Sequence, residues 1–124
     1  AAPAKPKARP KRSCRRPPGV QDLVFSAARY PNIRRHFLAA VGKGWPRVLT
    51  LHRRHDSRRR DDLLDGYPTR RGYDRDEYPP AIGRATWRAD VAYVPSRENR
   101  SHGASMGAKL RGLCAGTRFR YVFR

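Results

Sequence analysis

Asp74, Asp76 and Glu77 put three carboxylates within four residues of a chain that holds 29 Lys and Arg against 10 Asp and Glu. Adjacent carboxylates repel, so holding them together costs free energy unless a proton or a cation relieves them. Hard divalent cations prefer oxygen ligands, which makes a Mg²⁺-like ion the economical relief. The bland reading is a solvated cluster paired weakly with Arg70, Arg71 and Arg75 in RRGYDRDEY. A second polar group follows in ENRSHGAS, where Glu98, Asn99, Arg100 and His102 stand at the expected start of a helix. Polar residues there commonly serve capping alone. Together the two groups would build a cation site at one edge of a basic surface, the arrangement that phosphodiester hydrolysis needs. A metal neutralises the developing phosphate charge, a carboxylate activates water, and arginines hold the flanking phosphates.

The elements that must carry these residues are legible in the periodicity. GYDRDEY reads as a strand closed by Pro79-Pro80, and DVAYVP as a second strand. SRENRSHGASMGAKLRGL can form a helix from Ser96 as N-cap, and TRFRYVF closes the fold as a strand. Before them, VQDLVF reads as a short strand. YPNIRRHFLAAVGKG has helical spacing, with Ile33, Phe37, Leu38 and Val41 on one face, Arg34 and Arg35 outward, and Gly42 and Gly44 ending it. PRVLTLHR is expected as a buried strand bounded by Trp45-Pro46, and DSRRRDDLLDG as a charged helix or turn stopped by Gly66. His36, His52 and His55 are expected to be structural or surface residues. His102, three positions after Asn99, is assigned to phosphate contact or leaving-group assistance.

A chain of 124 residues has room for one domain with a modest core. Its formal charge of +19 favours polyanionic partners, nucleic acid first, with an anionic membrane surface or polysaccharide behind it. No apolar run approaches the roughly 20 residues of a membrane-spanning helix, so no membrane partner is expected. Residues 1–18 hold seven Lys or Arg, five Pro and no acid, the composition of a flexible basic arm, which leaves 19–124 as the folded domain. Cys14 and Cys114 lack the spacing of a zinc site. They are either two free thiols or one long-range bridge, and the bridge, which implies an oxidising compartment, is the reading taken forward. The chain begins AAPA without an initiator Met, as a processed chain would, so export is the expectation.

YPTRRGYDRDEYPPA (67–81) and VAYVPSRENRSHGAS (91–105) resemble the NucA/NucB-type bacterial extracellular deoxyribonucleases, with weaker support from SAARYPNIRRHFLAAV (26–41) and the closing GTRFRYVF. The resemblance covers most of residues 20–124 and not the arm. It implies an α+β fold with a ββα-metal motif in the C-terminal half, two strands and a helix gripping one Mg²⁺ or Mn²⁺ ion. In that class the first strand commonly carries Asp-Arg-Gly-His with His as general base. The matching residues are Asp74, Arg75, Asp76 and Glu77, so a carboxylate must replace the histidine. The resemblance implies Asp76 or Glu77 as the base, Asp74 as a support for the metal shell, Arg75 as a phosphate clamp and Asn99 as the direct ligand, with Glu98 beside it. Arg70, Arg71, Arg100 and His102 are taken as DNA contacts. Two departures stand out. Members of the family carry half-cystines where this chain has Leu49 and Gly83, and an acidic glycine-rich loop where GRATWRAD keeps only Asp90 as an acid.

The function expected is that of a secreted, monomeric, metal-dependent and sequence-tolerant DNA endonuclease acting on the DNA backbone. One alternative is a non-catalytic basic nucleic-acid-binding protein, for which the charge suffices but the carboxylate knot has no role. Another is the nuclease domain of an interbacterial toxin, which would bring an inhibitor or immunity protein as partner.

Overall fold

The computed structural model describes residues 13–54 and 56–124. Alternation of Leu23 and Phe25 inward makes Val20–Phe25 the first strand, β1. Helix α1, Pro31–Gly42, starts on a proline, which suits the first helical position, where the missing N–H would have had no intrahelical partner. Its buried residues Ile33, His36, Phe37 and Ala40 follow the i, i+3, i+4, i+7 spacing of one helical face. Strand β2 is Val48–Thr50, helix α2 Asp56–Leu64, β3 Tyr73–Tyr78, β4 Asp90–Pro95, helix α3 Ser96–Leu110 and β5 Arg118–Phe123. A short 3-10 turn, Ala81–Gly83, follows β3 after the cis Tyr78–Pro79 peptide.

The strands form two sheets: a three-stranded one in the order β1-β5-β2, and the antiparallel pair β3-β4. β1 runs parallel to β5, whereas β2 runs antiparallel to it. Phe25, Phe37, Tyr78, Val94, Leu110, Phe119 and Tyr121 join the sheets and helices into one buried cluster. The fold is therefore α+β, and its second half runs strand, strand, helix, strand. No helix among the described residues is long and apolar enough to cross a membrane.

Three local expectations need correction. Leu38 is 42% exposed, and His36 takes the inward place, because the centre of the buried face lies between positions 33 and 40. β2 is an edge strand of three residues, so only Leu49 points in, and Val48 is 42% exposed. Ser96 is the first residue of α3 rather than its cap, and its hydroxyl is given to Asp74 instead of the helix backbone.

Cys14 and Cys114 are disulfide-bonded, with Cα atoms 4.9 Å apart. Arg15 N–H donates to the Gly112 carbonyl, and Cys114 N–H to that of Arg15, so this segment is held against the turn after α3. Residues 1–12 of the basic arm, and His55, lie outside the described residues. Leu49 and Gly83, where the resemblance implies half-cystines, meet in space. A Cβ on Gly83 would lie 3.2 Å from Leu49 Cδ1 and 3.1 Å from Phe119 Cζ. The leucine side chain thus fills the place beside a glycine that has no room for anything larger.

Candidate active site

Strand β3 presents Asp74, Asp76 and Tyr78 to one side and Arg75 and Glu77 to the other, as the two-residue period of a strand requires. Pairing with β4, Asp74 opposite Val94 and Asp76 opposite Ala92, sets the register. The turn into β3 is closed by Tyr73 N–H donating to the Arg70 carbonyl, and it needs Gly72 at φ +80°, where a side chain would be strained. α3 runs back over the strand. Asn99, His102, Gly103 and Met106, at i, i+3, i+4 and i+7, form the wall of a cavity of about 340 Å³. Asp74, Asp76 and Glu77 also line it, with Arg60 and Leu64 of α2 on the far side.

Each carboxylate is held differently. Asp74 accepts from Ser96 Oγ at 2.7 Å, from Asn99 Nδ2 at 3.3 Å and from Arg100 Nε at 3.2 Å, tying the strand to the start of α3. Asp76 Oδ2 meets His36 Nδ1 at 2.6 Å, and the other ring nitrogen meets Asp90 Oδ2 at 2.9 Å. Glu77 Oε1 accepts from the Ala81 N–H at 3.3 Å and lies 3.5 Å from Arg84 Nη1. Its Oε2 is buried with no hydrogen-bond partner.

Glu98 sits away from the cavity, and Arg75, which lines it, has one nitrogen tied to backbone carbonyls. Glu98 Oε1 accepts the N–H groups of Asn32 and Ile33, and Oε2 accepts from Asn32 Nδ2. Oε1 satisfies two free backbone N–H groups at the start of α1 and Oε2 holds the Asn32 side chain, so Glu98 joins α1 to α3 and does not line the cavity. Arg75 Nη1 donates to the Leu64 and Tyr67 carbonyls, which straps β3 to the segment after α2 and withdraws that nitrogen from a phosphate. Of the intended DNA contacts, Arg71 is exposed and the Arg100 side chain is 76% exposed. Arg70 lies over the ring of Tyr73, 4.6 Å from its centre. His102 is only 4% exposed, enclosed by Phe25, Tyr30 and Tyr121, and its Nε2 is buried without a partner. It can meet only a group that enters the cavity.

The local electrostatics separate these groups. Burial lifts the Glu77 carboxyl above the ordinary range, against the lowering pull of Arg84 and the Ala81 N–H. Burial likewise lowers His102, keeping its ring neutral near pH 7 against the weaker pull of Asp76 and Glu98. Burial disfavours the charged form of His36 too, but hydrogen bonds and charge from Asp76 and Asp90 outweigh it and raise its pKa. Asp74 is lowered because the bonds from Ser96, Arg100 and Asn99 together exceed its desolvation. A depressed acid contributes stability that is present above its unfolded value and lost as pH falls through the folded one. The unfolding free energy is therefore expected to drop below about pH 4, the ordinary Asp value. Asp74→Asn should flatten that fall in urea titrations at stepped pH. An unchanged slope would show that Asp74 gains nothing from these bonds.

The residues present suit a hard cation. Among the described residues no three His, Cys, Asp or Glu side chains converge as a ligand cluster. Mg²⁺, however, commonly takes one or two carboxylates and keeps several waters. Glu77 is paired with Arg84 through Oε1 alone, and its buried Oε2 has no hydrogen-bond partner, which leaves one carboxylate oxygen free to meet a group entering the cavity. Asn99 gives its amide N–H to Asp74, which leaves the amide oxygen as its ligand end.

Two antiparallel strands followed by a helix that returns over the first strand, with acids and an asparagine on the facing sides, define a ββα arrangement. A search against models of known protein families finds no match. Among curated proteins, the DNA-entry nuclease of Bacillus subtilis (strain 168) is 30% identical over 105 residues, covering 84% of this chain and 71% of the relative. The chain belongs to the NucA/NucB-type nuclease family.

Proposed function

We propose that the protein is a divalent-metal-dependent, sequence-tolerant DNA endonuclease that works outside the cell. The observation that carries this reading is the buried, unpartnered Glu77 Oε2 in a cavity shared with Asp76, Asn99 and His102, on a chain of charge +19. The name of the Bacillus relative supports DNA as substrate. The Cys14–Cys114 disulfide suits an oxidising compartment.

Asn99 and Asp76 would hold the ion, with Asp74 fixing the Asn99 amide. When bound, the ion supplies positive charge to the phosphate as its negative charge develops. Glu77 acts as general base. Its Oε2 takes a proton from the attacking water while the water oxygen bonds to phosphorus and the bond to the leaving oxygen breaks, that oxygen taking its proton from solvent water. A carboxyl lifted by burial is a stronger base, and its pKa moves toward the pH at which it works. His102, neutral, is the uncharged partner available to the leaving oxygen. Arg70, Arg71 and Arg100 hold flanking phosphates, which gives affinity without reading sequence.

Supercoiled plasmid incubated with Mg²⁺ or Mn²⁺ should be nicked and then degraded, and chelation with EDTA should stop both. Intact plasmid with either metal, together with clear gel retardation, would establish a binding protein instead.

A further inference from the structure

His36 is a buried polar residue at a position where the helix pattern calls for a hydrocarbon. It sits at 5% exposure between Ile33, Phe37 and Ala40. Desolvating an imidazole and two carboxylates is expensive, and apolar replacement of such groups is often neutral or stabilising. Core stability alone therefore gives little reason for His36. Its geometry does give one. Nδ1 lies 2.6 Å from Asp76 Oδ2, and Nε2 lies 2.9 Å from Asp90 Oδ2. Asp90 is itself anchored, since Lys43 Nζ donates to its Oδ1 at 3.0 Å.

We propose that His36, backed by Asp90, is a positioning residue that fixes the Asp76 carboxylate for cation binding at the cavity. The inference rests on the nuclease reading above and adds a residue to it. With both ring nitrogens engaged on different strands, β3 and β4, the imidazole is fixed in place and orientation, and one oxygen of Asp76 is fixed with it. Asp76 lines the cavity, and among the described residues no hydrogen bond engages its other oxygen, Oδ1. Glu98 steadies the arrangement from the other end by clamping the start of α1 to α3. Outer partners of this kind typically change metal affinity or activity by about 10- to 100-fold when removed.

The full chain carrying His36→Asn, Asp90→Asn, Asp76→Asn or His36→Asn with Asp76→Asn would be compared with the parent. Mn²⁺ binding to DNA-free protein is read by electron paramagnetic resonance, DNA affinity in EDTA by gel retardation, and cleavage in single turnover at saturating DNA. His36→Asn should weaken Mn²⁺ binding and slow cleavage by about 10- to 100-fold, and Asp90→Asn should do both to a smaller degree. DNA affinity should stay within about twofold, and the double variant should lose no more than Asp76→Asn alone, since both changes disable one carboxylate. A purely structural His36 would lower the melting temperature and leave the folded protein's Mn²⁺ affinity and rate unchanged. That result, or a loss adding in full to that of Asp76→Asn, overturns the proposal. Should His36→Asn fail to fold, parental Mn²⁺ affinity and rate in Asp90→Asn overturn it equally. A parent that neither binds Mn²⁺ nor cuts DNA removes the nuclease reading and this inference with it.

Discussion

Glu77→Gln is expected to slow single-turnover DNA cleavage by about 10²- to 10⁴-fold, the usual loss when a general base is removed. The fold and most of the DNA affinity should survive. Gln keeps the shape and an oxygen for the Ala81 N–H, and affinity comes mainly from Lys and Arg neutralising phosphates. Asp76→Asn should also lose turnover, for a different reason. Asp76 Oδ2 already faces a buried imidazole at 2.6 Å, which makes that oxygen a poor acceptor for a further proton, whereas Glu77 Oε2 has no partner. The two variants therefore separate in their metal dependence. Asp76→Asn should need more Mg²⁺ to reach its maximum, and Glu77→Gln should stay slow at any Mg²⁺ concentration. Cleavage by both variants within about twofold of the parent would show that neither carboxylate takes part in catalysis.

The contrast between these two neighbours shows what could be read before the fold was known. Residue type and spacing pointed to the carboxylates, to Asn99 and to the two strands and helix that bring them together. A strand places adjacent residues on opposite sides, so Asp76 and Glu77 had to differ in surroundings. Which of them met a buried imidazole and which kept an oxygen without a partner depended on α1 and on the turn after β3, neither of which the spacing within the strand can give. The same limit explains Glu98. Next to Asn99 on a helix it looks like a ligand, yet adjacent helical residues point about 100° apart, and Glu98 turns to α1. Arg75 fits a phosphate clamp by pattern alone, but the carbonyls that take its Nη1 belong to a connection whose path periodicity cannot give. His36 did leave a signal, lying at i+3 from Ile33 and i+4 from Asn32 on a helix whose inward face is otherwise apolar. Its partner Asp90 left another, as the one acid kept in GRATWRAD.

Removing the Cys14–Cys114 bond should produce the largest loss of stability from a single covalent change. The bond spans a sequence separation of 100 residues and encloses nearly the whole domain. In the chain-entropy model a loop of that size stabilises by roughly 4 to 5 kcal/mol, less any strain in the native state. Domains commonly have only about 5–15 kcal/mol in total, so the reduced protein would keep a much smaller margin. The contact between Leu49 and Gly83 is apolar, and contact of that kind does not restrict the unfolded chain. The Cys14–Cys114 bond carries that restriction by itself. Cys14→Ser with Cys114→Ser, or treatment with a phosphine reductant, should lower the urea midpoint and bring the melting temperature down by about 15 °C or more. Catalysis should respond differently. The bond lies beyond the C-terminal end of α3, whereas Asn99 and His102 lie in its first half, held by Asp74 and by ring contacts in the core. While folded, the reduced protein should cut DNA at the parental rate, and its activity should vanish only as it unfolds. An unchanged urea midpoint after reduction would show that the loop model overstates the bond. A fall in turnover below the unfolding transition would instead show that the bond helps to shape the cavity.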